Sequence, residues 1–169
     1  MKRRIPAMLA PGVALAVALL VLALPAAAQD RARTWIGAGA GTGGAKRSSE
    51  ALALMGQLVH QRGANHFALR GVTIRDPFGE GSGSLTDVGL LYGRVAKGRQ
   101  GHGAIAAGVA YTSACVGDTV CKILGVPVVA EAGYRPTPVL GIGVQAFANL
   151  NKQRVFGGVV VFLQLGWMP

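Results

Sequence analysis

Two cysteines, three histidines and six polar or charged residues set inside apolar runs are the side chains of this sequence with the most chemical capacity. Cys115 and Cys121 flank "VGDTV" and are the only cysteines of the chain. The spacing rules out a redox C-x-x-C pair, and two thiols without neighbouring ligands do not hold a metal. In an oxidising compartment the expected chemistry is a disulfide across the loop, with free thiols as the alternative. The histidines, His60, His66 and His102, invite a hydrolytic reading, because a nucleophile needs a base within hydrogen-bond reach. No G-x-S-x-G elbow is present, and Ser82, Ser84 and Ser113 read as loop or strand-end residues. The histidines are therefore expected at turns or rims. "GAGAGTGG" (Gly37 to Gly44) looks like a phosphate cradle, but no helix opening on Lys-Ser or Lys-Thr follows it. No catalytic residue, cofactor or metal is expected.

The remaining candidates are Arg70, Asp87, Glu131, Gln145, Asn149 and Gln164. Each falls on what should be the inner face of a strand. Unpaired charge in a packed interior is expensive, so opposite charges there should find one another. The expectation is a polar plug containing Arg70 and Glu131, with Asp87 near one mouth. Such a plug either fills space or offers a path for protons or ions, and filling is the preferred reading.

Composition sets what can position these groups. The chain has 169 residues, 26 of them glycine, with 51% hydrophobic and only 14% charged residues. That profile is too apolar for disorder. It is also too rich in glycine for a helical bundle, since glycine costs about 1 kcal/mol per helix-interior position relative to alanine. An all-β domain remains. The N-terminus has the form of a secretory signal peptide: Lys2, Arg3 and Arg4, then apolar Val13 to Leu24, then Pro25 and Ala26-Ala27-Ala28. Cleavage is expected before Gln29, giving a signal peptide over 1–28 and one domain over 29–169. Residues 1–28 hold three basic and no acidic residues, which leaves 14 basic against 7 acidic residues, or +7. With few aromatics to stack on bases, this charge does not indicate nucleic-acid binding. It suits anionic lipid headgroups or lipopolysaccharide phosphates.

Turn residues divide the rest into eight predicted strands: 34–43, 52–62, 64–75, 85–97, 102–113, 121–133, 138–150 and 155–167. The connections alternate. "RGA", "KGRQG" and "YRPTP" are short, whereas those around 42–50 and 76–85 are longer and polar; 115–121 and 151–154 complete the second set. All short turns then fall at the end that carries both termini, as in outer-membrane barrels. Period-2 alternation supports the same architecture. The last strand sets Val155, Val159, Val161, Leu163, Leu165 and Trp167 on one face. Leu140, Ile142 and Val144 oppose Gly141, Gly143, Gln145 and Phe147. Ile105, Val109 and Tyr111 oppose His102, Ala104 and Thr112, and Leu124 and Val126 oppose Gly125 and Pro127. Small residues belong on the inner faces, because eight strands enclose only enough room for side chains. Trp35, Tyr92, Tyr111, Tyr134 and Trp167 are expected at strand ends or outer faces, as a sparse aromatic girdle.

The segments Ser84 to Ala96 and Val126 to Gly166, with Leu91-Tyr92-Gly93, Gly141-Ile142-Gly143, Phe147-Ala148-Asn149 and Leu163-Gln164-Leu165-Gly166, resemble small bacterial outer-membrane β-barrels, and more closely an uncharacterised group of exported barrel proteins. The resemblance covers the C-terminal half best and implies an eight-stranded antiparallel up-and-down transmembrane barrel with no known activity. It also implies that Trp167 serves the barrel-assembly machinery as a terminal aromatic, although Met168 and Pro169 follow it. The leading expectation is a monomeric, non-enzymatic barrel among outer-membrane lipid and lipopolysaccharide. The alternatives are a soluble periplasmic barrel holding a small apolar ligand and a lipid A-modifying membrane enzyme.

Overall fold

The computed structural model describes residues 32–45, 51–75, 84–116, 119–152 and 155–167. The expected signal peptide and most residues of the long connections lie outside this set. The strands are β1 (Arg33–Ala45), β2 (Ala51–Arg62), β3 (Asn65–Arg75), β4 (Ser84–Lys97), β5 (Gly101–Val116), β6 (Thr119–Tyr134), β7 (Leu140–Leu150) and β8 (Phe156–Gly166). Each pairs antiparallel with its sequence neighbours, and β8 returns to β1, closing the barrel in the order β1-β2-β3-β4-β5-β6-β7-β8. Closure removes every sheet edge, so each strand has a hydrogen-bonded neighbour on both sides.

Burial follows the expected alternation. In β2 it is strict along the whole strand, with Ala51, Ala53, Met55, Gln57, Val59 and Gln61 inside. In β8, Phe156, Val160, Phe162 and Gln164 are inside while Val159, Val161, Leu163 and Leu165 are exposed. The interior is packed by Phe147, Phe156, Phe162, Trp35 and aliphatic side chains. The outside is an apolar surface on every strand: Leu90 is 62% exposed, Val109 64%, Leu124 75% and Leu163 58%. Soluble monomers rarely expose a contiguous apolar patch beyond a few hundred Å².

The two ends differ. At the turn end, β2 and β3 meet through a two-residue connection between Arg62 and Asn65. Gly63 there has φ 63°, a left-handed conformation that glycine adopts without steric cost, and Gln61 Nε2 closes the turn by donating to the Gly63 carbonyl at 2.7 Å. Pro136 and Pro138 keep the chain out of the ladder, so β7 starts at Leu140 rather than at 138. At the loop end, β5 and β6 run further than expected, to Val116 and from Thr119. At 16 residues each they are the longest strands of the barrel. The β5–β6 ladder is interrupted opposite Val126 and Pro127, and proline supplies no N–H there.

Cys121 is a free, exposed thiol among the described residues. In the ladder Cys121 pairs with Ala114 and Cys115 with Val120, positions of opposite parity, a register that disfavours the expected bridge. Cys121 should label completely with a maleimide in the absence of reductant; protection lifted only by reductant would restore the bridge. Trp35 does not join an outer girdle. It is 1% exposed inside the barrel, whereas Tyr92, Tyr111, Tyr134 and Trp167 face outward.

Candidate functional site

The polar residues of the structure converge inside the barrel. Arg70, Asp87, Glu131, Gln145, Asn149 and Gln164 are all buried. They come from β3, β4, β6, β7 and β8, each at an inward position of its strand. They form two networks rather than one plug.

The first is built on Asp87. Arg70 Nη2 donates to Asp87 Oδ2 at 3.1 Å, with side chains 1% and 0% exposed. The other carboxylate oxygen, Oδ1, accepts from Thr112 Oγ1 and from Asn149 Nδ2, each at 2.8 Å. Asp87 is thus a wholly enclosed hub, near the loop end of β4. The Arg70 guanidinium also lies 5.2 Å from the centre of the Phe147 ring, a cation–π contact in a water-poor setting.

The second network is built on Glu131. Its Oε2 accepts from Gln57 Nε2 at 3.2 Å and from Gln145 Nε2 at 3.0 Å, and Gln145 Nε2 also donates to Gln57 Oε1 at 3.0 Å. Glu131 Oε1 lies 3.4 Å from His102 Nε2. Glu131 therefore does not pair with Arg70, whose charge is met by Asp87. Toward the turn end, the Trp35 indole packs edge-on against His66 and His102, at centroid distances of 6.1 and 5.9 Å. Gln164 is fully buried beside this layer, and neither its Nε2 nor its Oε1 has a protein partner among the described residues; the same holds for Trp35 Nε1 and His66 Nδ1. Buried polar groups of this kind are normally satisfied by ordered water.

Gln57, Thr112, His66 and His102 belong to this interior but were not among the candidates. Parity already sets Thr112, His66 and His102 opposite outward apolar residues, but the two histidines, expected at turns or rims, are buried inside the barrel. His60 behaves differently. It faces outward and shares a 3.0 Å hydrogen bond between Nδ1 and Thr34 Oγ1, a pair of directly opposed residues on β1 and β2.

Glycines carve the space these side chains occupy. A Cβ on Gly125 would collide with the Asn149 amide, and one on Gly133 with the His102 ring; on Gly143 it would meet Phe162. By contrast, a Cβ on Gly56 or Gly71 meets nothing within 4 Å. Gly125→Ala should therefore cost about 1–3 kcal/mol of barrel stability. Gly56→Ala should stay near neutral. Urea unfolding followed by gel mobility checks both.

Chemically, this interior holds charge within hydrogen-bonded networks. Among the described residues no group of three or more His, Cys, Asp or Glu side chains is placed to hold a metal ion.

Neither a family model nor a curated protein matches the sequence. Solved structures do match the fold. Neisserial surface protein A aligns with a TM-score of 0.62 at 12% identity, over 79% of this chain and 96% of that one. Ail, the attachment invasion locus protein of Yersinia pestis, gives 0.58 at 10% identity, over 80% and 97%. The N-terminal β-barrel domain of Pseudomonas aeruginosa OprF gives 0.58 at 12%, over 81% and all of that chain. At such identities the likeness concerns the fold alone. With its closed antiparallel wall, outward apolar surface and packed polar interior, the chain has the fold of the small eight-stranded outer-membrane β-barrels.

Proposed function

We propose that this chain is an integral outer-membrane protein of structural or surface-binding type that performs no catalytic step. It is exported by the signal peptide over 1–28, with the barrel over 29–169. The observation that carries the reading is the outward face, where Leu58, Leu69, Leu90, Val109, Leu124, Ile142, Val161 and Leu163 all stand exposed around the wall. Water makes such a surface unfavourable; hydrocarbon makes it the natural exterior. The short turns and both chain ends then face the periplasm, and the long loops face outward. Residues of the loop end, among them the exposed Lys122 and Lys152, are available to lipopolysaccharide phosphates. The assembly machinery would engage β8, whose end is fixed to β1 by the Trp167 N–H donating to the Thr34 carbonyl at 3.1 Å.

The soluble, ligand-holding alternative is disfavoured by the same interior that supports the membrane reading. Phe147, Phe156 and Phe162 occupy the volume a ligand would need. Fractionation of cells expressing the native gene tests the proposal, with heat-modifiable gel mobility scored on the same sample. Recovery in the outer-membrane fraction, with a band that shifts on boiling, supports it. Recovery in the soluble periplasm overturns it.

A further inference from the structure

The charge of the mature chain is not spread evenly. Arg33, Arg62, Arg94, Lys97, Arg99 and Arg135 all lie at the turn end, at or between strand termini. In the sequence, the stretches that begin and join the strands at this end carry a single acidic residue, Asp30. The described acids, Asp87 and Glu131, are both buried in the lumen. The loop end is mixed in the sequence, where Glu50, Asp76, Glu80 and Asp118 offset its lysines and arginines. The turn end is therefore a basic collar, and it stands where the apolar wall stops.

Part of this collar is a shaped site. The turn after β4, the turn after β6 and the two chain-end segments enclose an open bowl of about 690 Å³, lined by Arg33, Arg99, Arg135, Thr137 and Trp167. Its walls are joined by backbone hydrogen bonds. The Arg135 N–H donates to the Gln100 carbonyl at 2.7 Å, and the Gly98 N–H to the Gly101 carbonyl at 2.7 Å. The Gly166 N–H donates to the Val139 carbonyl at 3.0 Å. The segments that carry Arg99 and Arg135 are thus held directly to each other, so their cationic side chains start from a fixed frame. Trp167, 71% exposed, stands at the rim between the bowl and the apolar wall, beside exposed Leu165 and Leu140. An indole at that level marks a boundary between apolar and polar surroundings.

We infer that this bowl and its collar bind the phosphate of anionic phospholipids in the periplasmic leaflet. Guanidinium groups suit phosphate because their planar donors match its oxygens two at a time. The lipid tails would lie along the outward faces of β7, β8 and β1, which begin immediately beside the bowl. A phosphate carried on a lipid is favoured over a soluble phosphate because the site is contiguous with that apolar wall. The inference rests on the membrane placement proposed above, and its test separates the two.

The test is native mass spectrometry of the full-length mature barrel released from nanodiscs of equal phosphatidylglycerol and phosphatidylethanolamine, counting the lipids retained. The inference expects phosphatidylglycerol to be retained at least threefold over phosphatidylethanolamine. It expects that preference to vanish in Arg62→Gln/Arg99→Gln/Arg135→Gln and to persist in Lys122→Gln/Lys152→Gln at the opposite end. Each variant is first scored for heat-modifiable mobility, so that loss of folding is not read as loss of binding. If the arginine variant does not fold, Arg99→Gln alone serves, with a partial loss expected. Equal retention of the two lipids overturns the inference, as does equal loss in both multiple variants. Release of the lipid by millimolar inorganic phosphate would show a site for the free anion and overturn the lipid assignment. Barrels that insert in nanodiscs without selecting lipid leave the membrane reading standing while this inference fails; barrels that never insert fail both.

Discussion

Replacing Asp87 with alanine should destabilise the folded barrel by about 3–5 kcal/mol, the cost of leaving a buried arginine without its counter-charge. Arg70 sits at 1% exposure, and Asp87 is its ion-pair partner. The same change strips Thr112 and Asn149 of their common acceptor. Glu131→Gln should cost far less, below about 1 kcal/mol, because a glutamine carbonyl still accepts from Gln57 and Gln145. The contrast between two buried acids tells whether the pair or mere polarity matters. The double replacement Arg70→Met/Asp87→Leu should recover most of the loss, since apolar residues of similar volume often replace buried ion pairs at little cost. Equilibrium unfolding in urea, in phospholipid vesicles, gives all three values. A loss at Asp87→Ala no larger than that at Glu131→Gln would remove the hub from this account.

Leu90→Arg should cost about 2–4 kcal/mol in the same assay, the range for a basic residue placed at the middle of the hydrocarbon on a barrel's outer face. Leu90 is 62% exposed and lies midway along β4. Val139→Arg, at the turn-end rim, should cost about 1 kcal/mol or less, because the penalty falls with distance from the midplane. In a water-soluble barrel the order would disappear. An exposed leucine exchanged for arginine there would be nearly neutral and would raise solubility.

The wall of this barrel was legible in the sequence because one physical constraint repeats along it. Apolar residues such as Leu140, Ile142 and Val144 alternate with Gly141, Gly143 and Gln145, and that parity settles which way each side chain points. It also placed Arg70, Asp87, Glu131, Gln145, Asn149 and Gln164 inside. Parity says nothing of partners. Arg70 reaches Asp87 because Arg70 lies opposite Gly89, which makes Asp87 its diagonal neighbour on the same face. That register depends on how the chain crosses the connection between β3 and β4, and spacing alone does not fix it. Glu131 meets Gln57 across the barrel, from β6 to β2, a contact set by closure and strand tilt rather than by any local pattern. Trp35 misled for a different reason. Trp35 and Ile36 are adjacent apolar residues, so alternation alone leaves their faces open; packing against His66 and His102 decides it. The two cysteines looked bridgeable by separation in the chain, but the longer hairpin puts them out of step.

The apolar exterior also bears on the enzymatic alternative. His60 and Thr34 are hydrogen-bonded on that surface, yet they are directly opposed across a ladder, a common cross-strand pairing.

The central claim, that hydrocarbon surrounds this wall, is tested most directly by spin labels placed one at a time at Val159, Val160, Val161, Phe162 and Leu163 in a Cys115→Ser/Cys121→Ser background. With the barrel in lipid bilayers, labels at 159, 161 and 163 should collide strongly with dissolved oxygen and weakly with a water-soluble nickel chelate, while 160 and 162 meet little of either. If the nickel chelate reaches positions 159, 161 and 163 as readily as it reaches a label in water, the wall stands in water and the account is wrong.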